Sequence, residues 1–106
     1  MKIALVQMDV VHGQPVENKK HVKEMLERAL DDSPDVIVLP EMWNTGYALN
    51  ELDGLADKDG LESQELLSRF AREHAVAIIG GSVAIEKEGK FFNTTYVYNN
   101  SGDLIN

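Results

Sequence analysis

The apolar positions of this chain change their spacing from one segment to the next, and the spacing predicts the elements. Residues 3–8 form an apolar run broken only by Gln7, rich enough in Ile, Leu and Val to read as a buried strand. Residues 9–14 break the run, with Gly13 as punctuation. Pro15 suits the first turn of a helix, and Glu17 suits its positive end. Val22, Met25, Leu26, Ala29 and Leu30 then recur at spacings of three and four, one apolar stripe on a helix that carries charged residues on its other face. The stretch before Pro34 stops that helix, because the residue preceding a proline disfavours helical geometry. Val36, Ile37, Val38 and Leu39 are apolar without alternation, the pattern of a central strand covered on both faces, and Pro40 ends them. Residues 41–60, with three glycines, read as a long functional loop. Leu66, Leu67, Phe70 and Ala71 mark a second amphipathic helix over 63–74, with Ser63 as its N-cap. Residues 75–85 predict a third strand interrupted by Gly80-Gly81, and 91–98 a fourth, the two forming a hairpin around Gly89. A turn at 99–102 leads into Leu104-Ile105, where a fifth strand has barely begun.

The order β-α-β-α-β-β places the chain in the α/β class. Its first part predicts a parallel sheet with right-handed crossovers, and the hairpin adds antiparallel pairing. A length of 106 residues fits one domain. The net charge of −8 argues against nucleic acid or an anionic membrane as partner, since both call for a basic face. No apolar run reaches the roughly 18–20 residues that span a bilayer, and the first residues lack a secretory pattern, so a cytoplasmic protein is expected. The absence of cysteine removes disulfides, thiolate metal sites and a cysteine nucleophile from these residues.

Glu41 is the strongest candidate for chemistry. Ligands of open α/β sheets bind beyond the carboxyl ends of the strands. A carboxylate one residue past a buried strand, after a proline that fixes the exit of the chain, is held rigidly at that edge and suits general-base work when partly desolvated. Trp43 and Tyr47 follow in the same loop and can wall a small-molecule pocket or pack the loop onto the core. His12, His21 and His74 show no ligand spacing, and Asp53, Asp57 and Asp59 do not fit a calcium loop, so no metal is expected. Gly80-Gly81 lacks the surroundings of a phosphate loop and predicts a close backbone approach or a bulge.

Taken together, residues 1–8, the helix after them, residues 35–42 with their Leu39-Pro40-Glu41 step, Gly46-Tyr47, the hairpin with Phe92-Asn93-Thr94 and the turn at 99–102 resemble the nitrilase, or carbon–nitrogen hydrolase, superfamily. The resemblance covers essentially the whole chain. It implies the N-terminal part of an α-β-β-α sandwich, so that residues 1–106 form an incomplete carbon–nitrogen hydrolase domain. It also implies a Glu-Lys-Cys mechanism on small amides or nitriles without any cofactor, with Glu41 as general base and acid and Trp43 and Tyr47 near the substrate. The family's lysine is expected after residue 102 and its cysteine later still; neither is present here, so the chain alone is expected to be inactive and to represent a truncated or split product. An uncovered sheet face is expected to drive homo-oligomerisation or pairing with the missing C-terminal part. A competing reading is a non-catalytic α/β module that binds a partner through that face.

Overall fold

The computed structural model describes residues 1–46, 52 and 54–105. Among them are seven short strands and two long helices. Strand β1 (Ile3–Leu5) leads through a loop to helix α1 (Pro15–Ala29), which starts at the proline as expected. A single 3-10 turn, Leu30–Asp32, and a left-handed Ser33 close the helix before β2 (Val36–Val38). Strand β3 (Asp57–Lys58) precedes α2 (Leu61–His74). Four further strands follow: β4 (Ala77–Ile79), β5 (Val83–Lys87), β6 (Lys90–Thr94) and β7 (Val97–Tyr98).

The strands form two sheets. The first has the order β1-β2-β4-β7, with β1, β2 and β4 parallel and β7 antiparallel to β4. The second has the order β3-β5-β6. In the first sheet the register aligns Ala4, Ile37, Ile78 and Tyr98 in one row across the strands. That row joins Val22 and Leu26 of α1 and Leu67, Phe70 and Ala71 of α2 in the hydrophobic core. Strand side chains alternate between faces, so the neighbouring rows point away from the helices. There Ile3, Leu5 and Ile79 are 56%, 71% and 40% exposed. The first strand, expected to be buried, is therefore covered on its helix side alone among the described residues.

Two expected strands each prove to be two. Residues 75–85 and 91–98 cross from one sheet to the other, so the expected hairpin belongs to both: β4 pairs β7 in the first sheet and β5 pairs β6 in the second. The crossing is made at Gly80-Gly81. The Gly80 N–H donates to the Tyr96 carbonyl at 2.8 Å, and a Cβ on Gly80 would lie 2.6 Å from that same oxygen. Helix α2 begins two residues before its expected start, with Gly60 preceding it. Ser63 is not its N-cap. The cap comes from Asp57, whose carboxylate accepts the backbone N–H of Ser63 at 2.8 Å and of Glu62 at 3.3 Å. The expected fifth strand is a single antiparallel bridge, Leu104 to Tyr98. No helix of the described residues is long and apolar enough to cross a membrane.

Candidate active site

Strand β2 ends where its ladder to β4 ends. The Leu39 N–H still donates to the Ile79 carbonyl at 3.0 Å, and Pro40 then turns the chain out of the sheet. Glu41 stands at this carboxyl end of a central parallel strand, the edge at which such sheets place their ligands. The residues after it form a tight loop, closed by the Gly46 N–H donating to the Met42 carbonyl at 2.8 Å.

That loop is fastened to the first residues of the β5 segment. The Ser82 N–H donates to the Pro40 carbonyl at 3.2 Å, and the Trp43 N–H donates to the Ser82 carbonyl at 3.1 Å. The Met42 N–H donates to Ser82 Oγ at 2.8 Å. Asn44 adopts the part of a strand neighbour: its side-chain oxygen accepts the Ala84 N–H and its amide donates to the Ala84 carbonyl, both at 2.9 Å. From the other side, Asn18 of α1 donates to the carbonyls of Asn44 (2.9 Å) and Val11 (2.8 Å) and accepts the Val11 N–H at 2.7 Å. The Gly13 N–H reaches the Thr45 carbonyl at 2.9 Å. Asn18, Asn44, Thr45 and Ser82 are all buried, and no buried side-chain nitrogen or oxygen among the described residues lacks a partner. Such a fully satisfied polar network is rigid, because breaking any member strands another in a water-poor interior.

Of the three site residues expected from the sequence, Glu41 and Trp43 lie among the described residues. Glu41 lies at the strand end, but it is exposed rather than partly desolvated. Ser82 holds the loop by its backbone, Asn44 ties it to the Ala84 backbone, and Glu41 stays outside the packed core. Trp43, expected beside the substrate, is 1% exposed and packs within the core cluster. Its indole N–H donates to the Gly80 carbonyl at 3.0 Å, so the ring anchors the loop. Tyr47 lies outside the described residues. Among the described residues no group of three or more His, Cys, Asp or Glu is placed to hold a metal ion. Sequence reasoning missed Asn18 and Ser82. Asn18 did leave a signal, a polar residue four positions before Val22 on the apolar stripe of α1. Ser82 left none beyond the two glycines before it.

Two tyrosines near the sheet crossing have raised pKa values. Burial, then the nearby Tyr96, pushes the Tyr98 phenol up to about 12. Burial also raises Tyr96, reinforced by the negative charges of Asp57 and Asp59 and opposed by a hydrogen bond with Gln64.

The layering of helices on a two-sheet body is shared with solved structures. Nit3 of Saccharomyces cerevisiae, a member of branch 10 of the nitrilase superfamily, superposes with a TM-score of 0.87 at 24% identity, covering 100% of this chain and 42% of that one. An amidase from Nesterenkonia sp. AN1, in a structure that shows Michael addition of acrylamide at its active-site cysteine, superposes at 0.79 with 17% identity, covering 100% of this chain and 42% of that one. Residues 2–106 match the family model for carbon–nitrogen hydrolases, and the chain belongs to that family. It is 42% identical over 103 residues to 2-oxoglutaramate amidase of Bacillus subtilis (strain 168), covering 97% of this chain and 39% of that protein. The chain thus spans about two-fifths of the length of these relatives.

Proposed function

We propose that the protein containing this chain is an amidase that hydrolyses a small amide through a glutamate, a lysine and a cysteine, with Glu41 as the glutamate. The observation that carries this reading is the placement of Glu41: a carboxylate at the carboxyl end of a central parallel strand, with both flanking peptide groups held by Ser82. The likeness to 2-oxoglutaramate amidase supports a short carboxamide as substrate, with a nitrile as the alternative electrophile at the same oxidation level.

In this mechanism Glu41 takes the proton of the cysteine thiol as sulfur attacks the amide carbon. The lysine ammonium stabilises the oxyanion that forms. Glu41 then returns the proton to the departing nitrogen, ammonia leaves, and a thioester remains. Water attacks the thioester, again giving a proton to Glu41, and the carboxylic acid is released as the thiol re-forms. The 106 residues hold no cysteine. Lys87 and Lys90 sit at the β5–β6 turn and do not match the family's lysine, so both remaining groups come from beyond these residues. The adduct at the active-site cysteine of the Nesterenkonia amidase supports the nucleophile in this scheme. The uncovered rows of the first sheet, with Ile3, Leu5 and Ile79, are the surface on which the rest of such a fold, or a second copy of the chain, would pack.

The test is ammonia release from 2-oxoglutaramate by the full-length protein and its Glu41→Gln variant. The variant keeps the size of the side chain and loses the base, and kcat falls by roughly 10²-fold or more. Near-normal turnover in Glu41→Gln would overturn the role given to Glu41.

A further inference from the structure

One residue holds the chain on both sides of Glu41. Ser82 donates its N–H to the Pro40 carbonyl before Glu41, accepts the Met42 N–H on its hydroxyl oxygen just after it, and accepts the Trp43 N–H on its carbonyl. It is 4% exposed and cannot hand these bonds to solvent. Met42, between Glu41 and Trp43, has φ of +49°. That left-handed conformation suits glycine or asparagine, and other residues keep it only when their surroundings enforce it. Met42 is itself 3% exposed, so its N–H has no water to turn to when its acceptor is removed. Asn44 and Thr45 secure the far end of the loop, towards α1 and β5, whereas the Ser82 hydroxyl acts at the strained residue next to the carboxylate.

We propose that Ser82 is a positioning residue for Glu41: its hydroxyl locks Met42 in the left-handed conformation and thereby fixes the direction in which the carboxylate leaves the end of β2. The proposal rests on the reading of Glu41 as the general base. Removing the hydroxyl lets Met42 relax towards the right-handed region. That relaxation rotates the peptide between Glu41 and Met42 and carries the carboxylate away from its proton donor. Misplacement of a reacting group by about an ångström is enough to slow a reaction on the order of 10²-fold. Gly81 makes the arrangement possible, since a Cβ there would lie 2.0 Å from the Pro40 carbonyl oxygen that Ser82 engages.

The experiment compares Ser82→Ala in two backgrounds of the full-length protein, wild type and Met42→Gly, using 2-oxoglutaramate and rates normalised to folded enzyme. Glycine holds a positive φ without enforcement, and the backbone bonds of residue 82 to Pro40 and Trp43 survive the alanine substitution. In the wild-type background kcat falls by about 10- to 100-fold with KM little changed. In the Met42→Gly background the same substitution lowers kcat by less than about threefold, a rescue that a merely structural hydroxyl would not show. An equal loss in both backgrounds overturns the proposal, as does a wild-type kcat in Ser82→Ala. Should Ser82→Ala fail to fold alone, the comparison of Met42→Gly with Met42→Gly/Ser82→Ala decides: a large ratio refutes and a ratio near one supports. Glu41→Gln measured alongside separates the two levels. If it retains turnover, the reading of Glu41 has failed. If it is inactive while Ser82→Ala is normal, the failure belongs to Ser82.

Discussion

Gly81→Ala is the substitution through which the packing of the site can be measured as energy. Gly81 has φ of +61°, and the three atoms nearest a Cβ built on it are all backbone: the Pro40 oxygen at 2.0 Å, the Leu39 oxygen at 2.7 Å and the Leu39 carbonyl carbon at 2.8 Å. Gly89, in the tight turn between β5 and β6, supplies the control. Its φ is +76°, and a Cβ there meets nothing within 4 Å. Alanine at Gly89 therefore costs only the left-handed strain, about 1 kcal/mol. At Gly81 the same strain applies, and the Pro40 carbonyl must withdraw as well. Withdrawal breaks its 3.2 Å bond from the Ser82 N–H, which costs roughly 1 kcal/mol for the bond and about as much again for leaving a buried group unpaired. The total is about 3 kcal/mol, and the carbonyl that moves belongs to the residue before Glu41. Urea unfolding of the full-length protein reads the stability, and ammonia release reads the activity. Gly89→Ala is expected to lose about 1 kcal/mol and keep its kcat, whereas Gly81→Ala loses about 3 kcal/mol and at least tenfold in kcat. Equal destabilisation by the two alanines, or wild-type turnover in Gly81→Ala, would show that the strand ends are not held together as described.

Two more predictions concern the sheets. The Tyr98 phenol is raised from its ordinary 10.0 to about 12 by burial and by Tyr96. A folded pKa above the unfolded one means that the neutral phenol's contribution is complete below the unfolded value and is lost as pH rises towards the folded value. Stability is thus expected to decline between these two values. Tyr98→Phe should flatten the decline, and an unchanged slope in that variant would exclude Tyr98 as its source. Separately, the 106-residue chain on its own is expected to self-associate through the uncovered rows of the first sheet, where Leu5 is 71% and Ile79 is 40% exposed. Leu5→Lys/Ile79→Lys should shift light-scattering mass towards the monomer, and a mass that does not change would place the contact elsewhere.

How far the sequence spoke depended on the distance over which each feature is decided. Helix α1 was legible to its first residue because Pro15 and the stripe from Val22 to Ala29 act within a few turns. Strand β2 was legible because an apolar run between Pro34 and Pro40 has no other stable use. The Gly80-Gly81 step was expected to bring backbones close, and it does so against Tyr96 and Pro40. Its larger consequence, the passage of both hairpin strands from one sheet to the other, left no trace in the alternation. A strand of period two reads the same whichever sheet it pairs with. The cap of α2 failed for the same reason at shorter range: Asp57, six residues before Ser63, reaches over the turn to do what a local serine was expected to do. The position of Glu41 at the end of β2 was legible from its neighbours Leu39 and Pro40, but Ser82, which bonds the peptide groups beside it, is forty residues away in sequence from Met42.

The buried polar groups are concentrated around the loop that bears Glu41. Of the five buried polar residues among those described, Asn18, Asn44, Thr45, Ser63 and Ser82, all but Ser63 serve the loop that bears Glu41 or its contacts. Stability alone gives little reason for this concentration, since apolar side chains of similar volume fill an interior at least as well as hydrogen-bonded polar ones. What the polar groups add is direction. Each bond fixes one peptide orientation, and together they tie the loops that follow β1 and β2 to the start of β5. A general base exchanges protons with groups that another part of a protein must supply, and its geometry cannot be adjusted at the moment of reaction. Under the role proposed for Glu41, the chain's share of the chemistry would be one carboxylate, and the buried network would present it. Substitutions within the network should therefore cost turnover out of proportion to stability. Substitutions of comparable energetic cost in the helix-facing row, such as Ile37→Val, should cost stability and leave turnover nearly intact.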